Sequence, residues 1–126
     1  MAVTPHELVV EAKSQIKEVG TVEAQALLGK RIVIDVREYD EYAAGHLPGS
    51  INIPRGVLEF KIGMVPECAN KEGAFLVYCR TSGRAALSVV QLQKIGYTNI
   101  VSMAGGFEQW NNEARPTEKP EPVNFE

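Results

Sequence analysis

Cys79-Arg80-Thr81-Ser82-Gly83-Arg84 sets one thiol beside two arginines, two hydroxyl residues and a glycine. The apolar run Ala74-Phe75-Leu76-Val77-Tyr78 precedes it, and an apolar helical pattern from Ala85 to Ile95 follows. A cysteine thus ends a buried strand, and a short loop opens a helix. The first N–H groups of a helix lack internal partners, and its dipole is positive at that end. A loop curled there becomes a cradle for an anion. A sulfur at its centre is favoured as the thiolate, the nucleophilic form. Arg84, at the loop-to-helix junction, is placed to set a planar fork on a bound oxyanion. Arg80 is suited to greet an incoming anion from solvent. Thr81 and Ser82 offer hydroxyls and backbone N–H groups, and Gly83 permits the positive φ expected of a curled loop.

Other chemistry-bearing residues are weaker candidates. Asp35 and Arg37 stand where the strand Ile32–Val36 emerges; Arg37 is expected to pair with Glu38 or Glu41, while Asp35 stays open between a catalytic acid near the mouth of the site and a member of an ion pair. His46, in the turn cluster Gly45-His46-Leu47-Pro48-Gly49, is expected to bond to backbone more than to act as a base. No Cys-His-Asp arrangement of the protease type is evident. Cys68 lies in a polar connector and is expected to be inert. A Cys68–Cys79 disulfide is conceivable but would consume the nucleophile. The two cysteines and two histidines lack metal-ligand spacing, so neither a metal nor a cofactor is expected.

The elements that must position these residues follow from hydrophobic period and punctuation. Thr4, Pro5 and Glu7 form a helix start with a capping box. Leu8, Ala12, Ile16 and Val19 continue one face until Gly20. A second helix is expected over 22–28, capped by Thr21. Strands are read at 32–36, 51–53, 74–78 and 99–101, with helical turns at 39–44, a helix at 56–64 and a last short helix at 107–110 after Gly105-Gly106. Strands alternating with helices argue an α/β fold with a mostly parallel sheet. In such sheets the site lies beyond the carboxyl ends of the strands. Cys79, Asp35, Arg37 and the 102–106 loop all follow strands and gather at one edge.

With 126 residues and 44% apolar content the chain makes one domain with a real core. It divides into an added N-terminal helix (1–20), a core (21–114) and a loose, proline-rich charged tail (115–126). The formal net charge of −3 argues against nucleic acid or an anionic membrane as partner. The start of the chain does not read as a signal peptide, and with few cysteines a reducing cytoplasm is expected. The first helix is free to pack on its own domain or on a second copy, so homo-oligomerisation stays open.

Four segments together resemble the single-domain rhodaneses, a family of sulfurtransferases. They are Val33–Glu38, Glu41–Pro54, Val77–Arg84 and Gly105-Gly106-Phe107-Glu108-Gln109-Trp110, in the family's order. The resemblance implies a three-layer fold, with a five-stranded, mostly parallel sheet flanked by helices on both faces. It implies that Cys79 carries a persulfide between an anionic donor such as thiosulfate and a thiol, cyanide or protein acceptor. Residues 80–84 would supply the anion bowl, with Arg80 and Arg84 on the donor. Asp35, Arg37, His46, Gly105, Gly106 and Trp110 would support it. One departure is Ser82, which stands where the family's commonest loops have glycine. Related phosphatases and arsenate reductases use a loop with five residues between cysteine and arginine, against four here. Phosphatase chemistry is therefore the alternative, and a catalytically weak binding module a second.

Overall fold

A computed structural model of the chain describes residues 2–120. Its core is a five-stranded, wholly parallel sheet in the order β1-β5-β4-β2-β3. The strands are β1 (Glu18–Val19), β2 (Ile32–Asp35), β3 (Ile51–Asn52), β4 (Phe75–Tyr78) and β5 (Ile100–Met103). The helices are α1 (Pro5–Lys13), α2 (Thr21–Leu27), α3 (Tyr39–Ala44), α4 (Leu58–Lys61), α5 (Gly83–Lys94) and α6 (Gly106–Asn112).

Strand parity sorts the core into two layers, because alternate side chains leave opposite faces of a sheet. Ile34, Val36, Phe75, Val77, Cys79 and Ile100 pack with Leu58, Ala85, Val89 and Leu92 on the α4–α5 face. Val33, Leu76, Tyr78, Val101 and Met103 pack with Ala24 and Trp110 on the α2–α6 face. Both faces being covered explains why β2 and β4 are apolar almost throughout. The small residues Ala85, Ala86 and Ser88 are all fully buried, which lets α5 lie close on the central strands. Helix α1 packs on α5 of its own domain. No helix among the described residues is long and apolar enough to cross a membrane.

Four sequence expectations differ from the structure. The first helix stops at Lys13, where the Ser14 hydroxyl turns back to the Glu11 carbonyl at 2.6 Å. Residues 18–19 instead make edge strand β1, because β5 needs partners there: Ser102 N–H donates to Lys17 O and Ala104 N–H to Val19 O. Part of the supposed N-terminal addition therefore belongs to the sheet. The expected helix at 56–64 is broken into α4 between two 3₁₀ turns, Arg55–Val57 and Ile62–Met64, each holding a glycine. Leu58 and Ile62 point inward as expected. The tail is not loose as far as it is described. His46 and Glu118 exchange two backbone hydrogen bonds at 2.9 Å, and Trp110 Nε1 donates to Pro116 O at 2.8 Å. Residues 121–126, with Pro122, lie outside the described residues. Thr21 is helical and not a cap; its hydroxyl donates to Glu113 Oε1.

Candidate active site

Cys79 immediately follows β4, whose parity sends its side chain to the α5 face. The chain turns through residues 80–82 and enters α5 at Gly83. The Ala85 N–H, in the first turn of α5, donates to Cys79 Sγ at 3.3 Å. The residue is 1% exposed, so the sulfur lies under the loop and out of bulk water.

The loop is held from its other side by α6. Phe107 N–H donates to Cys79 O at 2.8 Å, and Glu108 N–H to Arg80 O at 2.9 Å. A trans peptide sets its N–H opposite its C=O. Anchoring those two carbonyls on α6 therefore turns the N–H groups of Arg80 and Thr81 away from it. Close approach is possible because Gly106 has no side chain: a β-carbon there would collide with the carbonyl oxygens of Arg80 and Thr81. Gly105 and Gly106 both have positive φ, 80° and 62°, whereas Gly83 does not. The expectation that Gly83 curls the loop is corrected. The left-handed residues sit in the facing turn, and Ser82 needs no glycine at its extended φ of −168°. Trp110 is fully buried and roots α6 in the core.

Arg84 does not stand free. Its guanidinium grips Glu41 of α3 with both forks, Nη1–Oε1 at 2.8 Å and Nη2–Oε2 at 3.0 Å. Glu41 also accepts the Glu38 N–H at 3.1 Å, in the capping box of α3. The hydrogen bonds from Arg84 outweigh partial burial and hold the Glu41 carboxyl down to about 2. Arg80 is 69% exposed, with Nε 3.5 Å from Glu108 Oε2. Thr81 is exposed and Ser82 half-buried.

Asp35 and Arg37 share the strand face of Tyr78 and form a buried pair, so the expected partners of Arg37 are corrected. Arg37 Nη2 donates to Asp35 Oδ2 at 2.8 Å and to Gly45 O at 2.7 Å. The guanidinium carbon lies 4.3 Å from the Phe107 ring centre. Asp35 is fully buried and does not reach the mouth. Tyr78 donates to Asp35 Oδ2 at 2.7 Å. Burial, with Asp35 beside it, pushes the Tyr78 hydroxyl far above the usual phenol range. His46 is buried, stacked on Tyr42 at 3.8 Å, with Nδ1 2.9 Å from Leu47 O and 3.2 Å from the Ser50 hydroxyl. These residues knit the ends of β2 and β4 to the 45–50 turn and touch no reacting atom.

A cleft of about 410 Å³ opens between α3 and α6, lined by Arg37, Glu41, Ala44, Arg80, Phe107 and Glu108. It borders the loop at Arg80 without reaching Cys79. Cys68 is free and fully buried; burial, then the charge of Glu67, pushes its thiol up to about 11. Sequence reasoning missed Glu41 as the partner of Arg84, and Tyr78 as the centre of the buried network. The parity of β4 could have found Tyr78, since it shares a face with Asp35.

An all-parallel sheet clad by helices on both faces, with a cysteine loop opening the helix after the central strand, defines a rhodanese-type α/β domain. The family model for the rhodanese-like domain matches residues 20–113, and the chain belongs to that family. Thiosulfate sulfurtransferase GlpE of Coxiella burnetii is 34% identical over 97 residues, 75% of this chain and 86% of that protein. The structure of the human single-domain sulfurtransferase TSTD1 superposes with a TM-score of 0.70 at 28% identity, covering 76% of this chain and 96% of that one. A Rhodopseudomonas palustris protein described as of unknown function, possible tyrosine phosphatase, superposes at 0.82 and 27%, covering 94% and 96%. Three other curated relatives are matched over 21%, 66% and 65% of their own lengths.

Proposed function

We propose that this protein is a sulfurtransferase working through a persulfide on Cys79. The thiolate attacks the outer sulfur of an anionic donor such as thiosulfate. A bond forms between Sγ and that sulfur, the donor's S–S bond breaks, and sulfite leaves with the electron pair. A thiol or cyanide then attacks the outer persulfide sulfur and regenerates the thiolate. The observation that carries this reading is the position of Sγ under the first turn of α5, receiving the Ala85 N–H at 3.3 Å. A persulfide is a diffuse anion, and fixed N–H dipoles stabilise it without a separate base. Arg80, exposed at the cleft, is the cation that first meets the donor. The names of relatives such as the Coxiella thiosulfate sulfurtransferase support the same chemistry. Because Sγ is buried, the 80–82 segment must shift for the donor's sulfur to reach it. Both cysteines are free, which suits a reducing cytoplasm.

Mass spectrometry of the Cys79 peptide after thiosulfate exposure tests the proposal. One added sulfur is expected, and Cys79→Ser should fold and carry none. The Rhodopseudomonas neighbour favours one other reading, a phosphatase. Turnover of para-nitrophenyl phosphate with no sulfur on Cys79 would establish it. An intact fold inert to both substrates would mark a binding module.

A further inference from the structure

The geometry points to Glu41 as a specificity-determining residue: it fills the Arg84 fork and so denies the loop to phosphate-like oxyanions. The inference rests on the sulfurtransferase reading of the same site and names what the site excludes.

An arginine at the start of a helix, five residues after a loop cysteine, is the natural seat for two oxygens of a tetrahedral anion. Here both terminal nitrogens are already spent on the two carboxylate oxygens of Glu41, at 2.8 and 3.0 Å. The carboxylate is itself fixed, because it also accepts the Glu38 N–H at 3.1 Å and caps α3. A phosphate entering by the cleft to seat its oxygens in the Arg84 fork therefore meets two obstacles. It must displace a preorganised bidentate ligand, and it must approach the negative charge of Glu41, which lines the cleft. Like charge placed against the wrong ligand is how sites reject it.

The cations near the loop divide by availability. Arg37 is spent on Asp35, and Arg84 on Glu41. Arg80 is exposed and only loosely held, 3.5 Å from Glu108. A donor such as thiosulfate can lean its sulfonate end on Arg80 and bring only its outer sulfur to Cys79. A phosphate ester must seat the phosphoryl oxygens themselves in the bowl and needs the fork. The Glu41–Arg84 pair thus separates two chemistries that share a cysteine loop.

Inorganic phosphate is the probe, with binding to the reduced full-length protein measured by calorimetry and by protection of Cys79 from alkylation. Glu41→Gln keeps the side-chain shape and an acceptor for the Glu38 N–H. It should bind phosphate about tenfold or more tightly than the unsubstituted chain, as expected for uncovering a bidentate charge-assisted site. The double variant Glu41→Gln/Arg84→Gln should lose that gain. A folded Glu41→Gln with unchanged phosphate affinity overturns the inference, and so does a gain that survives removal of Arg84. Should Glu41→Gln fail to fold, guanidinium NMR signals of the unsubstituted protein decide. Arg84 signals unmoved by phosphate support the inference; Arg84 signals that titrate overturn it. None of these measurements uses a sulfur donor, so the absence of a Cys79 persulfide would count against the sulfurtransferase reading alone.

Discussion

Gly106 faces the carbonyl oxygen of Arg80 so closely that a β-carbon would come within 2.5 Å of it. The cysteine loop and the turn before α6 are therefore one unit. The N–H groups of Phe107 and Glu108 hold the carbonyls of Cys79 and Arg80, which fixes which way the loop's peptides face.

Gly106→Ala should break that unit. The methyl group meets backbone, which cannot swing aside as a side chain would, and φ of 62° is unfavourable for alanine. A loss of about 2–4 kcal/mol is expected from strain and overpacking together. Urea unfolding measures it. Persulfide formation on Cys79 should fall with it, because the loop must move to relieve the clash. Retention of both would mean the turn does not shape the loop.

The Asp35–Arg37 pair should matter for folding and not for chemistry. Both side chains are almost fully buried, and Asp35 also accepts the Tyr78 hydroxyl at 2.7 Å. Asp35→Ala strands a buried guanidinium, at a cost of about 3–5 kcal/mol. Tyr78→Phe removes one hydrogen bond and should cost about 1–2 kcal/mol. Thermal unfolding ranks the two. Per folded molecule, sulfur loading of Tyr78→Phe should match the unsubstituted protein.

Cys68 should resist alkylation at neutral pH while Cys79 reacts. Burial keeps the Cys68 thiol protonated, with its titration pushed up to about 11 from an ordinary value of 9.0. Its folded value is raised, so the protonated form stabilises the fold fully below about pH 9. That contribution disappears as pH climbs from 9 towards 11. Peptide mapping after brief iodoacetamide treatment should find label on Cys79. Equal labelling of the two would mean that the 80–82 loop does not open over Cys79.

Much of this arrangement was legible in the residues because it depends on local order. Thr4 and Glu7 form their capping box, β2 and β4 fall where the apolar runs lie, and Cys79 stands at the entry to α5. What escaped was settled by distant partners. Strand β1 has only two residues, too few for a period, and exists because β5 needs an edge. Arg84 and Glu41 are 43 positions apart, and nothing near either announces the other. The loop's own glycine points to a positive φ at Gly83, but the left-handed residues are Gly105 and Gly106, across the gap. The tail's composition reads as disordered, yet Glu118 pairs with His46 through backbone groups that any residue carries.

The Glu41–Arg84 clasp also sets an acid limit on stability. Arg84 holds the Glu41 carboxyl at about 2 against an ordinary value of 4.5. A value lowered in the folded state means the unfolded chain binds the proton more readily. The stabilisation is therefore complete above about pH 4.5 and is lost as pH falls towards 2. Glu41 and Arg84 side chains are 31% and 36% exposed, so solvent screening cuts the effect to about 1 kcal/mol. Unfolding free energy measured from pH 6 to pH 2 should fall less steeply in Glu41→Gln than in the unsubstituted protein, the curves converging at the acid end. Raised salt should narrow the gap, since the pair is partly exposed. Parallel curves would show that the clasp does not tie α3 to α5 in solution.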